Sequence, residues 1–330
     1  MKNILIINTQ AFGDCLLGTH TVRLIKQMSP DTNITFAVKN TLRLTTSEEE
    51  ETPADILSIL SKQSGIDNIA VINVSNRQTQ IDRIYIIKDN QISEVEISNF
   101  DRVIVQDRWF SDLGIVKSQS VALLSDERFH NTETSFTLAK RKKNPTDHIF
   151  ITTSGPLDWN RKTSNEALRQ KTLFGIIEYL KSNNIPARIL PIGKDVDNFS
   201  LEQALTEINN SHIFIGPMGS LVHAAAGLNT DTIHITSVYP VEYDSPAHYH
   251  SGWHRPIKSK IHCQTYACIS EKSSEEQVYP EGPKTKYGFW PKMCSVNNGG
   301  FSCIYTIQPN QIIDSFIEWY EQKGKLCLNQ

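Results

Sequence analysis

Residues 216–223 read Gly-Pro-Met-Gly-Ser-Leu-Val-His, an order that suits the binding of an anion. An apolar run at 213–215 enters this turn of glycine and small residues. A helix containing Ala224, Ala225, Ala226 and Gly227 leaves it, and a second apolar run follows at 232–236. A helix whose first turn is Gly219-Ser220-Leu221 presents bare backbone N–H groups at its positive end, where a phosphate can sit. His223 comes about one turn later and faces whatever the turn holds. Any strand–helix–strand unit shares this outline, so the reading depends on what accompanies it.

Asp14 is the second candidate. The run Ile4-Leu5-Ile6-Ile7 is continuously apolar, as in a strand buried on both faces of a parallel sheet. It ends in Asn8-Thr9-Gln10-Ala11-Phe12-Gly13-Asp14, after which Leu16, Leu17, Thr21, Leu24 and Ile25 recur at helical spacing. Asp14 is therefore expected at or beside the N-cap of the first helix, on the carboxyl edge of the first strand. Open α/β sheets bind ligands at that edge. A capping role alone also accounts for an aspartate there.

Cysteines form the third group. Cys263, Cys268, Cys294 and Cys303, with His262 as an alternative, are candidate ligands of a structural metal. Their spacings are looser than the short knuckle usual for zinc. Thiols that bind no metal are the other reading. Cys15 and Cys327 stand apart and read as plain thiols.

The elements that position these residues alternate along the chain. In the first half, strands are expected at 34–38, 69–74 and 102–106, with a helix at 54–61. A β-hairpin is expected from runs at 83–87 and 94–97 around Lys88-Asp89-Asn90-Gln91. The pattern dissolves between 129 and 147, and Lys140-Arg141-Lys142-Lys143-Asn144-Pro145 reads as a solvated linker. It resumes with a strand at 149–153, a helix at 165–182 with one apolar face, a strand at 188–192 and a helix at 201–208. Successive βαβ units imply a parallel sheet with right-handed crossovers. Residues 237–305 are rich in Tyr, His, Pro, Trp and Cys and show no period. A final helix at 311–320 has no partner strand beside it in sequence, so it is expected to pack across another part of the protein.

The expected organisation is therefore an N-terminal Rossmann-like domain at 1–140 and a C-terminal one at 148–308. The irregular segment 237–305 belongs to the second, and the helix region 309–330 packs across domains. A cleft would put Asp14 on one wall and residues 153–162 and 216–223 on the other. Such a site suits group transfer from a phosphorylated donor.

Composition narrows the class. Hydrophobic residues make up 39% and charged residues 21% of 330, as in a soluble globular protein. The net charge of −3 gives no global attraction to nucleic acid. Apolar runs are far shorter than the roughly 20 residues of a membrane span, and no signal-peptide pattern opens the chain. A cytoplasmic location is expected, where cysteines stay reduced.

Three stretches, in the right order along the chain, resemble glycosyltransferase family 9, the ADP-heptose:lipopolysaccharide heptosyltransferases. Residues 8–18, NTQAFGDCLLG, are similar to its amino-terminal signature, a strand leading into a small-x-Gly-Asp turn. Residues 216–226, with Leu228 and Thr232, resemble its Asp-(Ser/Thr)-Gly-x-x-His-x-Ala-Ala signature. Gly252-Trp253-His254-Arg255, Cys263, Cys268 and the run from Cys303 to Pro309 resemble its cysteine-containing tail.

The resemblance implies a GT-B-like α/β fold of two Rossmann-like domains with a cleft between them, the donor held mainly by the second. It implies inverting, metal-independent transfer from a nucleoside-diphosphate sugar to a saccharide hydroxyl, with no required cofactor. Asp14 would be the general base, and Gly13 and Gln10 would lie on the acceptor side. Thr152, Thr153 and Lys162 or Arg161 would hold the donor phosphates. Met218, Gly219, Ser220 and His223 would hold the diphosphate and sugar. The implied partners are a nucleotide sugar and a saccharide or glycolipid acceptor, such as lipopolysaccharide, with peripheral inner-membrane contact.

Two departures bear on this. The signature's aspartate aligns with Met218 and its glycine with Ser220, which opens the identity of the sugar; Asp158 or Asp195 are alternative sources of the missing carboxylate. The family's Lys-x-Trp order is absent, since Trp159 precedes the basic pair. The alternatives are a non-catalytic nucleotide- or sugar-binding relative, and a transferase acting on a hydroxymethylated DNA base.

Overall fold

A computed structural model of the chain describes residues 2–8, 12–39, 41–42, 50–51, 54–75, 80–88, 91–105, 146–156, 159, 166–193, 196, 200–236, 245–248, 252–258 and 306–328. The chain divides into two compact units, Met1–Ala139 and Lys140–Gln330.

The first unit begins with β1 (Asn3–Asn8), buried along residues 4–8. Helix α1 (Phe12–Met28) carries the chain to β2 (Asn33–Lys39), which pairs parallel to β1. A separate antiparallel pair, β3 (Thr41–Leu42) with β4 (Glu50–Glu51), precedes α2 (Ala54–Ser61). Then β5 (Asn68–Ser75) adds parallel to β2. The hairpin of β6 (Gln80–Lys88) and β7 (Gln91–Val95) extends that edge antiparallel. Finally β8 (Arg102–Val105) returns to the far side of β1. The strand order is β7-β6-β5-β2-β1-β8, so the order reverses between β1 and β8. Leu5, Ile7, Ala37, Ala70, Ile72 and Ile84 form a core on this sheet.

Lys88 pairs directly with Gln91, so β7 starts three residues before the expected strand. Residues 91–94 are exposed, and an exposed strand shows no apolar alternation to read.

The second unit is a five-stranded sheet in the order β10-β9-β11-β12-β13, parallel throughout. Its strands are β9 (Ile149–Ser154), β10 (Ala187–Ile192), β11 (Ile213–Pro217), β12 (Asp231–Ile235) and β13 (His254–Ile257). Helices α3 (Glu166–Ser182), α4 (Leu201–Asn210) and α5 (Ser220–Gly227) connect the first four. Helix α4 starts with a reciprocal cap: Ser200 Oγ accepts from Gln203 N at 3.2 Å, and Gln203 Oε1 accepts from Ser200 N at 2.9 Å. This order reverses between β9 and β11.

Strand β13 lies inside the stretch expected to be irregular. Its sequence, His-Arg-Pro-Ile, has no apolar run because it is an edge strand, and only Ile257 is fully buried.

The last helix, α6 (Pro309–Gln322), packs on α3 and on the second sheet. Its apolar face supplies Ile312, Phe316, Trp319 and Tyr320 to the core formed by Ile151, Leu168, Ile176, Ile215 and Ile233. The helix thus packs on elements of its own unit. Polar ties hold the helix in place. Trp319 Nε1–H donates to Asp231 Oδ2 at 2.8 Å, and Tyr179 Oη donates to Glu321 Oε1 at 3.2 Å. Three buried aromatic rings and an isoleucine are worth several kcal/mol together, which explains why this helix docks despite its distance in sequence.

Candidate functional site

In the second unit the carboxyl ends of β9 and β11 flank the point where strand order reverses, the place where open α/β sheets bind ligands. Strand β9 ends there in Thr152, Thr153 and Ser154, all buried. Ser211 Oγ gives its single proton to Ile208 O at 2.9 Å, so Thr152 Oγ1 donates to Ser211 Oγ at 2.9 Å. Thr152 is thereby spent inside the fold. Thr153 Oγ1 and Ser154 Oγ differ: among the described residues both are buried without a hydrogen-bond partner. An unsatisfied buried hydroxyl costs about 1–3 kcal/mol, and folded proteins keep few of them.

Across the gap, β11 ends in Gly216 and Pro217. A Cβ at Gly216 would stand 2.5 Å from Ser154 Oγ, so the bare glycine lets the two strand ends approach. Met218, buried, donates its N–H to Ile235 O at 2.9 Å. Gly219 is the N-cap of α5 and has no side chain to cap the helix. Gly219, Ser220 and Leu221 stay partly exposed while His223, one turn later, is buried. Thr152 and Thr153 thus end β9, and Met218, Gly219, Ser220 and His223 follow the end of the adjacent β11. Arg161, Lys162, Asp158 and Asp195 lie outside the described residues. Trp159, by contrast, is described and fully buried in the core beside Leu168.

In the first unit, Phe12 opens α1, so Asp14 is the third helical residue rather than the cap. A carboxylate in the first turn is favoured by the helix dipole. Gly13 is buried beside it. Buried Asn8 ends β1, and Cys15 Sγ–H points to Asn8 Oδ1 at 3.6 Å. Buried Lys39 ends the adjacent β2. Gln10 lies outside the described residues.

Sequence reasoning missed a buried polar chain beside α5. His234 Nε2 meets Ser245 Oγ at 2.9 Å, and His234 Nδ1 meets Thr232 Oγ1 at 3.1 Å. Thr232 Oγ1 also meets His254 Nδ1 at 3.0 Å, and Ala247 N donates to Ser245 Oγ at 3.2 Å. The order Ser–His–Thr copies the connectivity of a nucleophilic triad, with a neutral hydroxyl where a carboxylate would orient the imidazole. Ser245 is fully buried, so no substrate reaches it and the chain serves the fold. Burial, aided by the positive charge of Lys323, lowers the His254 pKa from 6.5 to about 3. The readable signal was Thr-x-His-x-Thr at 232–236, polar side chains at every second place in a buried strand.

Cys15 and Cys327 are thiols outside any disulfide, as the sequence suggests. Cys263, Cys268, Cys294 and Cys303, with His262, lie outside the described residues. Among those described, no group of three or more His, Cys, Asp or Glu side chains is placed to hold a metal ion. No described helix is long and apolar enough to cross a membrane.

No family model matches the sequence, and no curated protein matches it. Solved structures do. The iron-containing dodecameric glycosyltransferase TibC from enterotoxigenic E. coli H10407 aligns with a TM-score of 0.55 at 11% identity. That alignment covers 97% of this chain and 76% of TibC. TibC in complex with ADP-D-beta-D-heptose gives 0.54 at 11% identity, over 98% of this chain and 78% of that one. A family 9 glycosyl transferase from Veillonella parvula DSM 2008 gives 0.52 at 11% identity over 98% of both chains. Over nearly its whole length, this chain has the two-unit α/β fold of the family 9 glycosyltransferases.

Proposed function

We propose that the protein is a glycosyltransferase that moves a sugar from a nucleoside-diphosphate donor to a hydroxyl of a saccharide or glycolipid acceptor. The observation that carries this reading is the pair of orphan hydroxyls, Thr153 Oγ1 and Ser154 Oγ, ending β9 opposite the glycine turn of β11. Hydroxyl donors and the partly exposed N-terminal turn of α5 suit a diphosphate. The likeness in fold to TibC, solved with ADP-heptose, supports the same class of donor.

In the proposed reaction the acceptor oxygen attacks the anomeric carbon and forms the new glycosidic bond with inversion. The bond from that carbon to the diphosphate oxygen breaks, and the nucleoside diphosphate leaves with the electron pair. Asp14 takes the acceptor proton as general base. Thr153, Gly219, Ser220 and His223, with Arg161 or Lys162, stabilise the charge growing on the leaving group, with no metal required. Gly13 and Gln10 line the acceptor side. The acceptor is a cell-surface glycan precursor met at the cytoplasmic face of the membrane.

The test is thermal unfolding in the presence of ADP-, GDP-, UDP- and CDP-sugars, followed by a turnover assay. A bound donor at about 100 times its Kd adds about 2.7 kcal/mol. Stabilisation by one nucleotide class with release of its diphosphate is the expected result. Binding without release would leave a non-catalytic relative, the reading that the loss of a carboxylate at Met218 favours. No stabilisation by any of the four would overturn the donor site.

A further inference from the structure

The Ser245–His234–Thr232–His254 chain has a consequence for the glycine turn. Thr232 and His234 share one face of β12, while Ile233 and Ile235 on the other face enter the core under α3 and α6. His234 stands in register with Gly216 of β11, and the next carbonyl, Ile235 O, accepts the Met218 N–H. The turn Pro246–His248, which Ser245 precedes, packs on α5 and β13. The polar chain therefore runs beside the strand that fixes Met218 and ends on the turn that backs the helix carrying His223.

The protons on this chain are coupled. Thr232 Oγ1 touches the Nδ1 atoms of both rings, yet it has one proton to give. Where it donates to one ring, it can only accept from the Nδ1–H of the other. The two rings then hold opposite roles at Nδ1, and the tautomer of His254 on the sheet edge bears on that of His234. His234 in turn decides whether Ser245 donates or accepts at Nε2. Each hydrogen bond of the chain orders the next.

We propose that Ser245, His234 and Thr232 are positioning residues for the nucleotide-sugar donor: their hydrogen-bonded chain holds the 246–248 turn against α5, and so sets the Met218–His223 segment to receive the diphosphate. This rests on the donor reading above. None of the three touches the donor; they act through Met218, Gly219 and α5. A chain of buried, mutually satisfied polar groups rigidifies what it joins, and a preorganised turn binds without first being ordered.

The test compares Thr232→Val, which keeps shape and removes the hydroxyl, with Thr232→Ser, which keeps the hydroxyl and removes a methyl. Ser245→Ala breaks the chain at its other end. Calorimetry with ADP, GDP, UDP and CDP reads affinity, donor KM and kcat are measured for the nucleotide that binds, and thermal unfolding reads the fold. Thr232→Val and Ser245→Ala are expected to weaken binding about tenfold and raise donor KM alike, with kcat within about twofold. Thr232→Ser should bind like the wild type. The double variant should be no worse than Thr232→Val alone, since both breaks interrupt one chain. If Ser245→Ala does not fold, the Val and Ser pair decides the matter. Wild-type affinity in Thr232→Val, or equal losses in Thr232→Val and Thr232→Ser, overturns the positioning role while the donor site stands. A wild-type protein that binds none of the four nucleotides removes the donor site and the positioning role together.

Discussion

Asp14 sits in the first turn of α1, at the point where the strand order of the first sheet reverses. If it is the base, Asp14→Asn keeps the shape and the helix start but removes the proton acceptor. Turnover should then fall about 10²–10⁴-fold while donor affinity is unchanged; an Asn variant with more than a third of wild-type turnover would reduce Asp14 to a helix-end charge. On the donor side, His223→Ala should weaken nucleoside-diphosphate binding, read by calorimetry, because the buried imidazole lies one turn inside α5. On the proposed reading, Met218 bears on the choice of sugar. A thioether cannot replace the two hydrogen bonds of a carboxylate, so competition among purified donors should favour a hexose, deoxyhexose or pentose over ADP-heptose. His254 gives a prediction in pH. Its pKa of about 3 lies below its ordinary 6.5, so between those values the unfolded chain binds the extra proton. Stability therefore rises with pH across that window and is flat above it, by up to about 1.4 kcal/mol per unit from this group. Urea unfolding from pH 4 to 7 should show a shallower slope in His254→Gln than in the wild type.

At the scale of elements, Gly216 is where two strands come close. Gly216→Ala would put a Cβ 2.5 Å from Ser154 Oγ and 3.1 Å from Phe214 Cε1. The expected cost is about 1–3 kcal/mol, with weaker donor binding, seen together in unfolding and calorimetry. Most elements were legible. The continuous apolar runs of β1 and β11 announced themselves, and α2 falls on the expected residues. What the sequence hid has physical reasons. Strand β13 is an edge whose His and Pro carry no period, and β7 is exposed on both faces. Asp14, expected at or beside the N-cap, is the third residue of a helix that starts at the buried, apolar Phe12. The glycine turn could be read as a phosphate site from its spacing. That Thr152 is spent on Ser211 while Thr153 and Ser154 are left over is decided by facing side chains far apart in sequence.

At the scale of the whole chain, two units each carry a sheet with its own reversal point, and each brings one half of the proposed chemistry. Hydrogen exchange should show the division: a nucleoside diphosphate is expected to protect amides of residues 152–155 and 216–223, leaving those of β6 and β7 unchanged. Protection confined to the first unit would reverse the assignment of donor and acceptor sides. The second unit is also closed by its last helix. Tyr179 and Glu321, joined by a hydrogen bond, stand 142 residues apart, and Phe316, Trp319 and Tyr320 cover strands made long before them. At about 5–20 residues per second a ribosome needs roughly 7–30 s to cover that distance. During that time the part of β9, and then of β11 and β12 once they are made, that α6 will cover waits exposed on the nascent chain, so the second unit depends on whatever shields apolar surface in the cell, while β1 to β8 are all made before β9.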